Sequence, residues 1–201
     1  MLRSEIDSLS RALPRQPGIL GKERFFNAAV LIPLLEWDGE LHFLFQKRAR
    51  NIRQGGEICF PGGEHEPESD RLCRDTALRE AEEELGISRE RITVLGRMNT
   101  LVSPRGITVD SFPALLDIQG LDDLAPDPAE VERVFSLPVS WFEENEPETY
   151  WLRLEIHPSY INGMGEKIDL LPVDALGLPS RYASTWEGLR HRVSIYHCPE
   201  E

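Results

Sequence analysis

Three glutamates near the middle of the chain have a spacing that suits metal chemistry. Glu80, Glu83 and Glu84 stand at i, i+3 and i+4, and on an α-helix those positions share one face, a few ångströms apart. Like charges at this spacing destabilise a bare helix by about 0.2–0.5 kcal/mol per pair. A cation is therefore expected on this face, and a hard divalent ion that takes oxygen ligands is the simplest candidate.

A glycine turn lies upstream of the three glutamates. Gly62 and Gly63 follow Phe60 and Pro61, and glycine allows a backbone to approach a ligand closely because it has no side chain. The turn can therefore bring carbonyl oxygens toward the same ion. A carboxylate cluster beside a glycine turn indicates phosphate chemistry.

A helix is needed to hold the glutamates on one face. Ser69 or Asp70 is predicted to cap a helix that runs to Leu85, with Gly86 as its C-terminal stop. The predicted buried stripe, at four-residue spacing, consists of Cys73, Ala77, Ala81 and Leu85. Arg79 stands four residues before Glu83, so it is expected to orient that carboxylate.

Apolar runs predict a mixed sheet around this helix, and the fold class is predicted to be α+β, with the sheet between helices. Residues 1–20 are predicted to form an N-terminal helix and linker. Asp38 and Gly39 predict a hairpin turn. The predicted strands are Phe25–Leu35, Leu41–Gln46, Ile92–Leu95, Thr108–Leu116, Tyr150–His157 paired with Lys167–Leu171, and Arg190–His197.

Composition limits the class of protein. The chain has 201 residues, which fits one domain over 1–201. A formal net charge of −13 argues against a nucleic-acid partner. No stretch approaches the roughly 20 apolar residues of a membrane span, and the N-terminus lacks the apolar core of a signal peptide. The three cysteines form no CxxC pair, so a cytoplasmic protein is expected.

The run from Arg79 to Ile87 resembles the second half of the Nudix box, Arg-Glu-apolar-x-Glu-Glu-x-Gly-apolar, and matches it in full. The first half departs from the pattern. The box glutamate position holds Arg71, and the glycine pair lies two residues too far upstream. A two-residue insertion in the loop 64–70 explains this, and Glu68 or Asp70 is then expected to replace the missing glutamate.

The segment before the box is similar to that of the coenzyme A pyrophosphatases within this family. It has an arginine-rich stretch from Arg48, followed by Gly-Glu-Ile-Cys-Phe-Pro-Gly-Gly at 56–63. Residues 130–138 resemble a later segment of the same subfamily. The likeness covers about residues 25–142.

The resemblance implies a Mg²⁺- or Mn²⁺-dependent hydrolase that cuts a nucleoside diphosphate linkage. Its substrate is expected to be coenzyme A or an acyl-CoA, cut to 3′,5′-ADP and 4′-phosphopantetheine. The implied site residues are the metal ligands Glu80, Glu83, Glu84 and Gly63, the catalytic residues Glu83, Arg79 and Glu130, and the substrate-binding residues Arg48, Arg53, Gly62 and Gly63. Either Glu83 or Glu130 is expected to be the general base.

Other interpretations stay open at this point. ADP-ribose or another nucleoside diphosphate derivative suits the same box, and an inactive ligand-binding module on this fold is the alternative from another class. Homodimers are common in the family, so a homodimer is expected by analogy. The family's sheet is normally followed by a second helix, and few residues remain here after His197. Two expectations follow: either the chain is truncated, or another segment, such as the N-terminal helix or a partner subunit, covers that face.

Overall fold

The computed structural model describes Glu5, Ser8, Arg11, Ala12 and residues 18–198. The chain divides into two compact units, Met1–Trp141 and Phe142–Glu201. The single domain predicted over 1–201 stays a prediction. Over residues 18–198 the α-helices are α1 (Cys73–Leu85) and α2 (Val139–Glu144). The strands are β1 (Phe26–Trp37), β2 (Glu40–Arg48), β3 (Ile58–Cys59), β4 (Gly62–Glu64), β5 (Ile92–Val94), β6 (Leu101–Ser103), β7 (Ile107–Leu116), β8 (Val131–Pro138), β9 (Glu148–Ile156), β10 (Ser159–Ile161), β11 (Lys167–Asp169) and β12 (Trp186–Ile195).

The first unit contains an eight-stranded mixed sheet in the order β3-β2-β1-β7-β5, with β4 on β1, β6 on β7 and β8 on β2. Strands β1 and β7 are parallel, and the other pairs are antiparallel. The predicted hairpin turn joins β1 to β2, with Asp38 and Gly39 both at positive φ, as a type I′ turn requires. The predicted α+β class with a mixed sheet is confirmed.

Helix α1 packs its predicted apolar stripe on this sheet. Ala77, Ala81 and Leu85 are fully buried against β1 residues such as Leu31, and Cys73 is partly buried beside them. These residues lie on one face because a spacing of four residues is only slightly more than one helical turn. The helix therefore presents Glu84, three residues beyond Ala81, next to the core rather than to open solvent.

The predicted start of α1 was wrong. The helix begins at Cys73, and the Leu72 amide donates to the Asp75 carboxylate at 3.1 Å. Neither Ser69 nor Asp70 caps it, because the Asp70 carboxylate is turned toward Arg79. The predicted stop was right, since Gly86 has the left-handed φ of 65° that favours glycine.

The glycine turn is built into the sheet by β4. Strand β4 pairs with the first half of β1, so that Gly63 lies opposite Ala29 and Gly62 opposite Val30. The contact is close, because a Cβ built on Gly62 would lie 2.8 Å from the Val30 Cα. Gly62 also has a φ of 158°. Both properties favour glycine at this position. The pairing of β4 with β1 keeps the turn beside α1.

The second unit corrects one predicted pairing. Strand β9 pairs with β12, and β10 pairs with β11, so the predicted partnership of Tyr150–His157 with Lys167–Leu171 was wrong. The Asn162–Gly165 turn instead closes the short β10–β11 hairpin. The turn residues therefore join the two strands next to them, whereas the longer strand β9 pairs with β12, which lies farther along the chain.

The predicted N-terminal helix falls mostly outside the described residues. Within residues 1–20, Glu5, Ser8, Arg11 and Ala12 are helical. No helix in the described part of the chain is long and apolar enough to cross a membrane.

A buried aspartate on the sheet forms ion pairs and a hydrogen bond with residues of two loops. Asp110 on β7 is 1% exposed and contacts Lys22 at 3.2 Å, Arg97 at 2.7 Å and Thr100 at 2.5 Å. Burial by itself raises the pKa of Asp110, but hydrogen bonds from Thr100, Arg97, Cys73 and Lys22 outweigh it and hold the pKa well below its ordinary value. The ionised carboxylate therefore stabilises the fold.

Asp110→Asn is expected to lower the free energy of unfolding by about 2–3 kcal/mol at pH 7, since it weakens several charge-assisted hydrogen bonds. The folded pKa lies below the unfolded value of about 3.9. The contribution is therefore complete above about pH 5 and is lost progressively as the pH falls from about 3.9 toward the lower pKa of the folded protein. Urea unfolding should show a gap between wild type and variant that narrows below about pH 4. Asp117→Asn on the exposed surface is the control, and an equal loss there would contradict the assignment.

Candidate metal centre

Glu84 is a buried carboxylate at the C-terminal end of α1. It is 1% exposed, and its Oε2 accepts a hydrogen bond from the Gly62 amide at 2.9 Å. Arg48 approaches its Oε1 at 3.5 Å. Burial raises the pKa of Glu84, and the nearby Glu130 adds to this, while hydrogen bonds from Gln46 and Gly62 and the charge of Arg48 oppose it. The charge on Glu84 is thus only partly compensated by the protein.

Glu80 lies one turn before Glu84 and directly against the glycine turn. A Cβ built on Gly63 would lie 2.5 Å from the Glu80 carboxylate carbon, so only glycine leaves room for that carboxylate. Burial raises the pKa of Glu80, Arg79 opposes the rise, and Glu84 and Glu83 add to it. The buried Glu84 carboxylate and the partly buried Glu80 carboxylate therefore repel each other beside the turn.

Arg79 is held between carboxylates. Its Nη1 contacts Glu80 at 2.8 Å and Glu83 at 3.0 Å, and its Nη2 contacts Asp70 at 3.1 Å. The hydrogen bond to Asp70 is the largest of the effects that raise the pKa of Arg79 above its ordinary value. The arginine therefore occupies the position of an orienting residue, and it contacts Glu83 as predicted.

Asp70 and Glu68 differ in their surroundings. Asp70 is 4% exposed and bound to Arg79, whereas Glu68 is exposed. Burial alone raises the pKa of Asp70, but hydrogen bonds from Arg79 and Thr76 bring it below its ordinary value. Of the two residues expected to replace the missing box glutamate, Asp70 has the geometry to support Arg79.

The two arginines predicted to bind substrate have different surroundings in the structure. Arg48 is half-buried beside Glu84, and its Nε donates to the Arg53 carbonyl. The Arg53 side chain is instead placed over the Phe26 ring, 5.9 Å from its centroid. Arg48 alone of the two therefore has a described contact with the glutamate cluster.

The candidate bases are both exposed. Glu83 has a side chain that is 57% exposed and is paired with Arg79. Glu130 lies just before β8, and its charge adds to the rise in the pKa of Glu84 that burial mainly causes. Water can reach either carboxylate, as a general base requires.

The donors at this face fit a hard divalent ion in type, although they are engaged with arginines. Among the described residues, no three His, Cys, Asp or Glu side chains converge tightly enough to hold an ion as they stand. The available donors are carboxylate and carbonyl oxygens, which Mg²⁺ and Mn²⁺ prefer. Burial and the repulsion between carboxylates together raise the pKa of Glu80 and Glu84, and a bound cation would offset that repulsion.

The sequence reasoning missed one polar residue at this site. Gln46 on β2 is fully buried, its Nε2 lies 3.6 Å from the Cys59 sulfur, and its side chain opposes the rise in the pKa of Glu84. It shares the inward face of β2 with Leu44, since alternate residues of a strand face the same side. A glutamine at an inward position of an alternating strand is the signal that could have identified it.

Comparisons of the chain with known proteins identify its family. A model of the NUDIX domain matches residues 25–159. The peroxisomal coenzyme A diphosphatase NUDT7 of Mus musculus is 34% identical over 61% of this chain and 50% of its own length. The mitochondrial coenzyme A diphosphatase NUDT8 of Homo sapiens is 34% identical over 62% and 53%, and the uncharacterized Nudix hydrolase NudL of Photorhabdus laumondii is 38% identical over 57% and 59%.

Among solved structures, a Nudix hydrolase from M. smegmatis, RenU, aligns with a TM-score of 0.49 at 21% identity, over 60% of this chain and 74% of that one. An Ap4A hydrolase of C. elegans in a binary complex aligns with a TM-score of 0.45 at 23% identity, over 54% and 77%. The chain spans between half and three fifths of the length of the three curated relatives. Because the domain model matches about two thirds of its residues, the chain belongs to the Nudix family.

Proposed function

We propose that this protein is a divalent-metal-dependent pyrophosphohydrolase whose substrate is coenzyme A or an acyl-CoA. The observation that carries the proposal is that two carboxylates, the buried Glu84 and the partly buried Glu80, lie against the Gly62–Gly63 turn. The curated names of two relatives, both coenzyme A diphosphatases, support the choice of substrate.

The residues of this face would hold Mg²⁺ or Mn²⁺ between them. Glu80, Glu83 and Glu84 supply carboxylates and Gly63 supplies its carbonyl, while Arg79 and Asp70 keep the carboxylates in place. When bound, such an ion neutralises the diphosphate and lowers the pKa of water. Arg79 contacts Glu80 through Oε1 and Glu83 through Oε2, so the other oxygen of each carboxylate would be left to bind the ion.

The protein's own groups supply positioning and proton transfer. Arg48 is the cation closest to Glu84 in the described contacts, and a guanidinium binds phosphate oxygens well because it offers paired donors. Glu83 or Glu130 removes the proton from the attacking water. Arg53 and the backbone of the glycine turn are the remaining proposed substrate contacts.

The compartment is proposed from the cysteines. Cys59, Cys73 and Cys198 are all free thiols, which suits a reducing compartment such as the cytoplasm. A homodimer is proposed by analogy with the family alone.

The substrate is tested by comparing kcat/KM for coenzyme A, dephospho-coenzyme A and ADP-ribose with Mg²⁺ or Mn²⁺. The proposal predicts that coenzyme A is hydrolysed fastest, because its 3′-phosphate adds a contact that dephospho-coenzyme A lacks. Faster turnover of ADP-ribose would keep the metal centre and reject coenzyme A as the substrate. No turnover of any of the three, with Mn²⁺ bound, would favour a ligand-binding module.

A further inference from the structure

A cavity in the first unit, at the N-terminal end of α1, is lined by four cationic side chains. They belong to Lys22, Arg71, Arg74 and Arg97, and the cavity that they line is the basic pocket. Its volume is about 400 Å³, within the range of about 300–1,000 Å³ that is usual for small-molecule sites. The chain as a whole has a formal net charge of −13, so this cluster of positive charge runs against the overall balance.

The basic pocket is separate from the candidate metal centre. It is reached at Cys73 and Arg74 in the first turn of α1, whereas Glu84 lies in the last turn. At a rise of 1.5 Å per residue, Cys73 and Glu84 are about 16 Å apart along the helix axis. Neither the three glutamates nor the Gly62–Gly63 turn lines the pocket. A ligand in the basic pocket would therefore not be a ligand of the metal.

A buried carboxylate fixes two of the four cations. Asp110 is 1% exposed and lines the pocket together with Phe112, which is 5% exposed. The Asp110 carboxylate accepts hydrogen bonds from Lys22 at 3.2 Å and from Arg97 at 2.7 Å. These two cations are thus already positioned in the protein itself, which reduces the entropy that a ligand must overcome to bind them.

The other two cations have donors to spare. Arg74 approaches Asp75 only at 3.8 Å, and its side chain is 54% exposed. The exposed Arg71 side chain makes no ion pair or hydrogen bond within the part of the chain that the structure describes. Asp110 and Asp75 balance two of the four positive charges. Two positive charges therefore remain for a ligand.

The remaining charge and the type of donor match a phosphate group. A phosphate monoester carries a charge of about −1.5 to −2 at pH 7. Guanidinium groups bind phosphate oxygens well because they offer paired donors. We propose that the basic pocket binds the phosphate group of a small molecule, with Arg71 and Arg74 joining Lys22 and Arg97 as its donors. This site does not depend on the proposed function, and a free phosphate ion and a phosphate monoester share the chemistry that it recognises.

The test is calorimetric titration of the protein in EDTA with inorganic phosphate and, separately, with glycerol 3-phosphate. Without a divalent ion the glutamate face stays acidic and repels both ligands, so binding reports on the basic pocket. Arg71→Gln removes a cation that holds no other described residue, and a second variant combines it with Arg74→Gln. Arg105→Gln is the matched control, because Arg105 is an exposed arginine that does not line the pocket.

The expected result is saturable binding at one site in the wild-type protein. Its Kd should rise about 5-fold or more in Arg71→Gln, because a hydrogen bond to a charged group is lost, and further in the double variant. Tm in the absence of ligand should stay near that of wild type. The ligand that binds wild type more tightly identifies the source of the phosphate group. No saturable binding of either ligand, an unchanged Kd in the double variant, or an equal rise in Arg105→Gln would overturn the proposal.

Discussion

Glu84→Gln is expected to abolish measurable Mn²⁺ binding and to lower hydrolysis of coenzyme A on the order of 10³-fold, while the protein stays folded. A metal ion supplies several kcal/mol of transition-state stabilisation, and about 4 kcal/mol corresponds to that factor in rate. The fold should survive because burial already disfavours the charged form of Glu84. The measurements are calorimetric titration with Mn²⁺, kcat with Mg²⁺, and Tm.

Glu82→Gln is the matched control for that experiment. Glu82 lies on the same helix but pairs with Arg89, away from the glycine turn. It is expected to keep Mn²⁺ affinity and kcat near wild type, with a small loss of Tm from the broken surface contact. If Glu82→Gln were as inactive as Glu84→Gln, general damage to α1 would explain both results, and the metal centre would lose its support.

Gly63→Ala is expected to weaken Mn²⁺ binding by about 10–100-fold, an effect of the size seen when a group that positions a metal ligand is changed. The added methyl group would lie 2.5 Å from the Glu80 carboxylate carbon. Since the end of a glutamate side chain can move, the variant should fold while Glu80 is displaced from the turn. Calorimetry with Mn²⁺ measures the effect, and Tm shows that the sheet is intact.

The control for this variant is Gly96→Ala. Gly96 has open space where a Cβ would be placed and no positive φ, so its affinity for Mn²⁺ is expected to be unchanged. Unaltered Mn²⁺ binding in folded Gly63→Ala would mean that the glycine turn and Glu80 do not share an ion, and the proposed ligand set would then be wrong.

Local patterns predicted those parts of the fold in which neighbouring residues set the structure. The stripe of Ala77, Ala81 and Leu85 predicted a helix because its period is helical, and the Asp38-Gly39 turn predicted the β1–β2 hairpin. The partner of β9 could not be predicted in the same way, because strand pairing over a long stretch of chain depends on tertiary packing rather than on a turn. The start of α1 was missed since Asp70 binds Arg79 instead of a helix terminus.

The same distinction applies to the candidate site: local spacing predicted some of its residues, and contacts between distant residues decided the others. The spacing of Glu80 and Glu84 predicted one face of one helix, and the structure places both beside the glycine turn. Arg48 and Arg53 are only five residues apart, yet Arg48 contacts Glu84 and Arg53 contacts an aromatic ring. The segment between them is irregular, so its sequence has no helical or strand periodicity that would predict which way each side chain points. Gln46 was missed because its neighbours Cys59 and Glu84 are distant from it in sequence.

The most direct test of the central claim is to identify the products by mass after incubation with coenzyme A and Mg²⁺. Cleavage of the diphosphate is predicted to give 3′,5′-ADP and 4′-phosphopantetheine, in amounts that depend on the metal and vanish when it is chelated. Intact coenzyme A after prolonged incubation with either Mg²⁺ or Mn²⁺, or products cut at any bond outside the diphosphate, would contradict the account.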